Sequence, residues 1–231
     1  MTSRPPRLPP PSERPERGGP QGGRAPSSRA QEVLLFWFGQ RPYRPDQVGQ
    51  RARLWFGDPH APELTPQTDE LVTERFGSLM QAAARGELSS WESSPRRRLA
   101  LILLLDQFPR NVHRGRALAF AHDARALSLA VSGMQVGADA ALDPLERLFF
   151  YMPLMHAESL EVQDESVAAF RRLQEEAPEE LRAQFDSALH YARLHREVIA
   201  RFGRFPHRNR ILQRRDTAAE AEWLASEEPG F

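Results

Sequence analysis

No cysteine and no lysine occur in the 231 residues; all 31 basic side chains are arginine. The missing thiols exclude disulfides, thiolate nucleophiles, thiolate–zinc sites and iron–sulfur clusters. The missing amine excludes Schiff-base chemistry, covalently held pyridoxal phosphate and a P-loop lysine. Net charge is missing as well, because 31 acids balance the arginines. Nothing in that balance demands a nucleic acid or an anionic membrane as partner. Long apolar runs are also lacking. The longest, Leu99 to Leu105, has seven residues, against the roughly 20 that span a bilayer. No N-terminal apolar segment has the form of a signal peptide, so the chain reads as cytoplasmic, with no membrane partner.

What is present is an ordinary globular composition, 40% hydrophobic, in a chain long enough for one well-buried domain. Residues 1–29 stand apart, with eight prolines, six arginines and two glutamates. Such a segment has too little apolar surface to offset its ordering entropy, which predicts a disordered tail followed by a single domain over residues 30–231. The basic tail offers a contact for nucleic acid or an acidic surface; a poorly selected extension is the simpler account.

The domain shows helical signals almost everywhere and no sustained strand alternation. "EVLLFWFG" and "RLWFG" are short aromatic segments closed by Gly39 and Gly57. Thr65 is placed as an N-cap with Pro66 in the first turn and Gly86 past the end, and Val72, Phe76, Leu79 and Ala83 follow helical spacing. Ser94-Pro95 opens the next helix with the same cap chemistry, and "LALILLL" marks it as the central, fully surrounded one, ending at Asp106. One helix is predicted from about Arg116 to Val136. Asp143-Pro144-x-Glu146 caps another, which Pro153 should kink or end. Two more cover about Leu160–Ala177 and Pro178–Phe202. Thr217 with Glu220 forms a capping box for a last helix containing Trp223 and Leu224. The fold class is all-α.

Chemistry-bearing residues gather near helix ends. "DQFPRNVHRG" (Asp106–Gly115) and "RFGRFPHRN" (Arg201–Asn209) write similar Phe-Pro endings about a hundred residues apart. Asp106, taken as the C-terminal carboxylate of the central helix, opposes the helix dipole and requires a cationic partner. Arg110, Arg114 and Arg116 are near in sequence; Arg204 and Arg208 qualify if the two endings meet. Either these make structural Asp–Arg pairs, with Asn111 and Asn209 capping loop backbone, or they form an anion-binding cleft of guanidinium, amide and imidazole groups.

His195 lies within the stripe Leu181, Phe185, Ala188, Ala192, Ile199 and Phe202, and His156 continues Leu145, Phe149 and Met152. Each histidine alone is most simply a hydrogen-bonded core residue; two beside polar helix boundaries point to a shared polar cavity.

Other constellations fail on spacing. His122-Asp123 has the form of the paired ligands of all-α HD phosphohydrolases, but His113 is too near to supply the earlier ligand. His156-x-Glu158 and His190 with His195 do not make a zinc-protease pattern. Metal binding by His156, Glu158, His195 or His207 has no diagnostic spacing behind it. There is no Gly-x-Ser-x-Gly elbow and no dinucleotide glycine fingerprint, so neither metal nor cofactor is assigned. The span Arg201–Arg215 holds six arginines and no acid, but acids crowd both sides and its aromatics suit packing, which disfavours nucleic-acid binding.

Five ordered stretches, "VLLFWFG", "LLLDQFPRNVHRG", "AFAHDARAL", "ERLFFYMPLMHAESLEVQ" and "RFGRFPHRN", together resemble the bacterial family designated domain of unknown function 924, over roughly residues 31–225. The resemblance implies an all-helical, tetratricopeptide-repeat-like array of antiparallel helices and no established activity. Its motifs fall on Asp106, Gln107, Arg110, Asn111, Arg114, His156, Glu158, Gln163, Arg204, His207, Arg208 and Asn209. The chain departs from the family's His-Ser-Glu at His156-Ala157-Glu158, which argues against a serine nucleophile. It also has Gln213 where a glycine is usual.

Two functions follow as expectations. One is a small-molecule site, enzymatic or ligand-binding. There Asp106, His156, Glu158 and His195 would supply acid–base chemistry, and Arg110, Asn111, Arg114, Gln163, Arg204, His207, Arg208 and Asn209 would bind a small anion. The other is a helical-repeat scaffold that grips a peptide or protein.

Overall fold

In the computed structural model, residues 26–57 and 65–226 are described. They contain ten α-helices and, among the described residues, no strand: α1 (Pro26–Phe38), α2 (Pro45–Phe56), α3 (Thr65–Ala84), α4 (Pro95–Ile102), α5 (Phe108–Val112), α6 (Asp123–Gln135), α7 (Pro144–Met155), α8 (Leu160–Glu175), α9 (Arg182–Phe202) and α10 (Ala218–Ala225). The all-α expectation holds. Most of the span expected as a disordered tail, residues 1–25, lies outside the described residues, as does the side chain of Thr65.

The centre is α4 with its continuation. Leu99 through Leu105 are all at most 1% exposed, which is what an apolar surface on every side of a helix requires. At roughly 1.5–3 kcal/mol for each large side chain, this segment anchors the core. Helices α1, α6 and α7 pack around α4, α3 packs on α5, and α7, α8 and α9 each pack against the next. The rings of Trp37, Trp55, Phe108 and Phe149 close one end, with centroids 4.7–5.5 Å apart for Trp55–Phe149, Trp37–Phe108 and Trp37–Phe149. A separate small cluster of Val198, Ile199, Phe205 and Trp223, with Phe202 and Leu224 against it, holds the C-terminal segment.

The central helix does not end at Asp106, as the sequence predicts. Residues Leu103–Gln107 form a π turn, in which the Phe108 N–H donates to the Leu103 carbonyl, and the chain runs straight on into α5. Pro109 is the cause: it has no N–H to give the Leu105 carbonyl, and its ring crowds that carbonyl in an α register. Widening the turn by one residue relieves the clash without ending the helix. Ser94 stands at the N-cap of α4, but its side chain makes no cap hydrogen bond.

Two further differences concern boundaries. The helix expected over Arg116–Val136 is broken into a 3₁₀ turn at Ala117–Phe120 and α6 from Asp123. Pro153 lies inside α7, which continues to Met155. Its missing N–H removes the ladder bond to the Phe149 carbonyl, yet the helix runs on past it. The Gln163 side-chain amide caps the end of α7, donating to the carbonyls of Met155 (2.7 Å) and Ala157 (2.8 Å). His156 therefore stays in register with Leu145, Phe149 and Met152, at the C-cap and in helical conformation. Both capping boxes are formed, Asp143 with Glu146 and Thr217 with Glu220. Gly203 ends α9 in the left-handed conformation, φ 71°, which glycine adopts without steric cost.

Candidate functional site

The π turn delivers Asp106 into the interior, with none of its side chain exposed. A buried carboxylate must be paired and hydrogen-bonded to remain charged. Three groups meet it. The His156 Nδ1 lies 2.8 Å from Oδ1, the Gln107 amide donates to Oδ2 at 2.6 Å, and an Arg110 Nη stands 3.1 Å from Oδ1. Burial alone would push the Asp106 carboxyl up, but Arg110, His156 and Gln107 outweigh it and hold it below the usual carboxylate range. Burial, then the Arg110 charge, pushes the His156 imidazole down, against the opposing pull of Asp106. The ion pair of this site is therefore Asp106 with Arg110. His156 joins it as a neutral ring whose Nδ1–H donates to the carboxylate, leaving Nε2 with its lone pair.

Arg110 and Arg208 bring the two Phe-Pro endings together on a third element. Arg110 grips Asp123, at the start of α6, with two bonds of 2.9 Å. Arg208 reaches the same carboxylate at 3.4 Å and donates to the His156 carbonyl at 3.2 Å. Its guanidinium lies 4.4 Å from the Phe205 ring centroid and 4.7 Å from that of Phe120, a cation–π arrangement. Arg208 is buried, and its Nε has no hydrogen-bond partner. Burial, reinforced by the charge of Arg110, lowers its pKa to about 10.

His195 faces His156, with ring centroids 6.4 Å apart, and packs on Phe205 at 5.4 Å. Its Nδ1 is 2.8 Å from the Tyr191 carbonyl of its own helix. Burial, then proximity to His156, brings its pKa to about 3. His207, 5.6 Å from Phe205, is lowered to about 4 by burial and then by Arg208. Near neutral pH the site thus holds neutral imidazoles beside two guanidiniums and two carboxylates.

The remaining sequence candidates are engaged elsewhere. Both Glu158 oxygens are held by Arg214 (2.7 and 3.0 Å), and one also accepts from the Phe205 N–H (2.9 Å). The Asn111 amide donates to the Leu54 carbonyl. Arg114 pairs with Asp69 and Arg204 with Glu220. Asn209 bridges Arg214 and Asp216, and Gln163 caps α7. Among the described residues no group of three His, Asp or Glu side chains is arranged to hold a metal. Three residues join the site in roles that did not stand out in the sequence: Asp123 as the shared carboxylate, Arg214 as the Glu158 partner and Phe120 as a guanidinium platform. Asp123 and Phe120 lie within "AFAHDARAL", so that motif was the available signal. Arg214 had none to separate it from its arginine neighbours.

The comparisons agree with this architecture. A family model described as "Bacterial protein of unknown function (DUF924)" matches residues 33–228. A solved structure, a protein of unknown function, ATU0120, from Agrobacterium tumefaciens, is similar at 35% sequence identity and a TM-score of 0.70. The similarity covers 87% of this chain and 99% of that one. No curated protein matches. With the family model spanning nearly all the described residues and a solved relative sharing the fold along almost its whole length, this chain belongs to the DUF924 family of bacterial proteins of unknown function.

Proposed function

We propose that the cluster around Asp106 and His156 binds a small anionic molecule, and that His156 acts on it as a general base or acid. The observation that carries this is the 2.8 Å contact between His156 Nδ1 and a fully buried Asp106. A carboxylate on one imidazole nitrogen fixes the tautomer and directs the other nitrogen outward as a base. Because the ring is held neutral, Nε2 is free to take a proton near pH 7. Asp106 is then a positioning residue. Arg208 is the anion-binding group: its Nε is unpartnered and its contact with Asp123 is long, so an incoming carboxylate or phosphate would complete its hydrogen bonding. Ala157 and the absence of cysteine leave no neighbouring nucleophile there. The step would be a hydrolase or transferase reaction in which His156 removes a proton from water or an acceptor hydroxyl. A π turn beside the site fits this use, since such turns are frequent at functional sites.

A scaffold for a peptide or protein is the second reading, with α7, α8 and α9 as a tetratricopeptide-like array. It draws on the packing of each of these helices against the next.

A thermal-shift screen against anionic metabolites tests the first reading. The expected pattern is a ligand that stabilises the wild type and the His156→Gln variant but not Arg208→Ala, with turnover lost in both variants. A ligand that stabilises all three equally would place its site elsewhere.

A further inference from the structure

We infer that the hollow between the end of α1 and the face of α2 is a second ligand site, taking a carboxylate that carries a neighbouring amide N–H: an N-acylated amino acid, free or as the end of a peptide chain. The inference does not rest on the function proposed for the His156 site.

The hollow is a half-open depression of about 360 Å³, lined by Leu35, Gly39, Gln40, Gln47, Gln50 and Arg51. That volume falls in the range of small-molecule sites, about 300–1,000 Å³. Helical spacing on α2 sets Gln47 and Arg51, four residues apart, on one face. Arg51 donates to the Phe36 carbonyl, which fastens the guanidinium against the last turn of α1. Other part-buried arginines have an acid: Arg110 has Asp106 and Asp123, Arg204 has Glu220, Arg214 has Glu158. Arg51 pairs with none among the described residues, and burial alone bears on its proton affinity, lowering it. A half-buried guanidinium with spare donors and no counter-charge fits a single negative charge. A carboxylate matches that charge and the fork of donors, whereas a phosphate dianion would bring excess charge into the site.

The second observation concerns Gln47. Its Oε1 is shielded from solvent and accepts no hydrogen bond, a condition that costs about 1–3 kcal/mol unless a donor fills it. Gln47 lines the hollow, and a ligand seated there is a source of that donor. An acylated amino acid carries its N–H beside its carboxylate, so one ligand serves both Arg51 and Gln47. The side chain of that residue has Leu35 to rest on, which is 45% exposed.

The test is an NMR titration of the full-length protein, following the Arg51 Nε–H signal, with N-acetyl-L-leucine as probe. N-acetyl-L-leucinamide and inorganic phosphate are each expected to bind at least about tenfold more weakly, a difference of about 1.4 kcal/mol. Arg51→Gln should lose binding by a similar factor. Since Arg51 also holds the Phe36 carbonyl, Gln47→Leu is the milder companion; it keeps the guanidinium and should weaken the probe severalfold. His156→Gln should leave the affinity unchanged. A pentapeptide ending in leucine separates the sources: tighter binding than the acetylated amino acid means a chain end, and weaker binding means a free metabolite. Equal affinity for acid and amide, a preference for phosphate, or an unmoved Arg51 signal at saturation would overturn the inference.

Discussion

His156 and Asp106 are fifty residues apart in the chain and 2.8 Å apart in space, joined through an imidazole nitrogen and a carboxylate that solvent does not reach. The π turn supplies the carboxylate and the last turn of α7 supplies the ring. Asp106→Asn keeps the volume and removes the charge, leaving Arg110 with Asp123 alone. Breaking a buried pair in this way costs about 3–5 kcal/mol, readable as a lower urea midpoint. A loss below about 1 kcal/mol would mean that Asp123 suffices for Arg110 and that Asp106 is not held as described.

The neutral histidines predict a direction for the pH dependence of stability. Folding holds His195 at about 3 and His207 at about 4, below the roughly 6.5 of an unfolded histidine. Below that value the unfolded chain binds protons that the folded one does not. Stability is therefore fully present above about pH 6.5 and falls as the pH drops, approaching about 1.4 kcal/mol per unit for each ring. Unfolding curves between pH 7 and 5 should show the slope, and a His195→Gln, His207→Gln double variant should flatten it. An unchanged slope in that variant would show that these rings take up protons within the fold.

Arg208→Lys is expected to behave as a damaging change. Lysine keeps the charge but loses the flat guanidinium between Phe120 and Phe205 and the bond to the His156 carbonyl. A loss of about 1–2 kcal/mol by chemical denaturation is anticipated. Wild-type stability in the lysine variant would reduce the role of Arg208 to its charge.

Gln213 is, among the described residues, the one non-glycine residue at positive φ, 55°. Its side chain is exposed, so little packing opposes a change. Gln213→Gly removes the steric cost of the left-handed conformation and, after the extra backbone freedom of the unfolded chain, should stabilise by about 0.5–1 kcal/mol. A destabilised variant would mean that the glutamine makes up for its backbone in some other way.

The local grammar of the fold was legible in the sequence. The capping boxes at Asp143 and Thr217, the stripe from Leu181 to Phe202 and the in-register His156 all follow from rules that reach a few residues along the chain. The position of Gln213 was legible too, as a departure from a glycine. What the sequence hid was partnership. Arg114 and Arg204 look like Arg110 and Arg208 by type and setting, yet their acids, Asp69 and Glu220, lie elsewhere. Glu158 resembled a catalytic acid until Arg214 claimed both of its oxygens. Such pairings are fixed by the packing of distant segments, and no local pattern encodes them. The break between Phe120 and Asp123 was hidden for a related reason, since alanine-rich sequence suits a helix whether or not one forms.

The turn at Leu103–Gln107 sets backbone economy against site geometry. Each residue advances a helix by about 100°, so one extra residue in a turn swings everything after it to a new bearing. Upstream, Leu99 to Ile102 point where the core needs them; downstream, Asp106 and Arg110 point where His156 and Asp123 are. Deleting one residue from the turn would press the Pro109 ring back onto the carbonyl four residues before it and in the same act rotate the carboxylate away from its imidazole. The widened turn is a phase shifter, and it lets one helix serve two neighbourhoods that a regular helix would force into a single alignment.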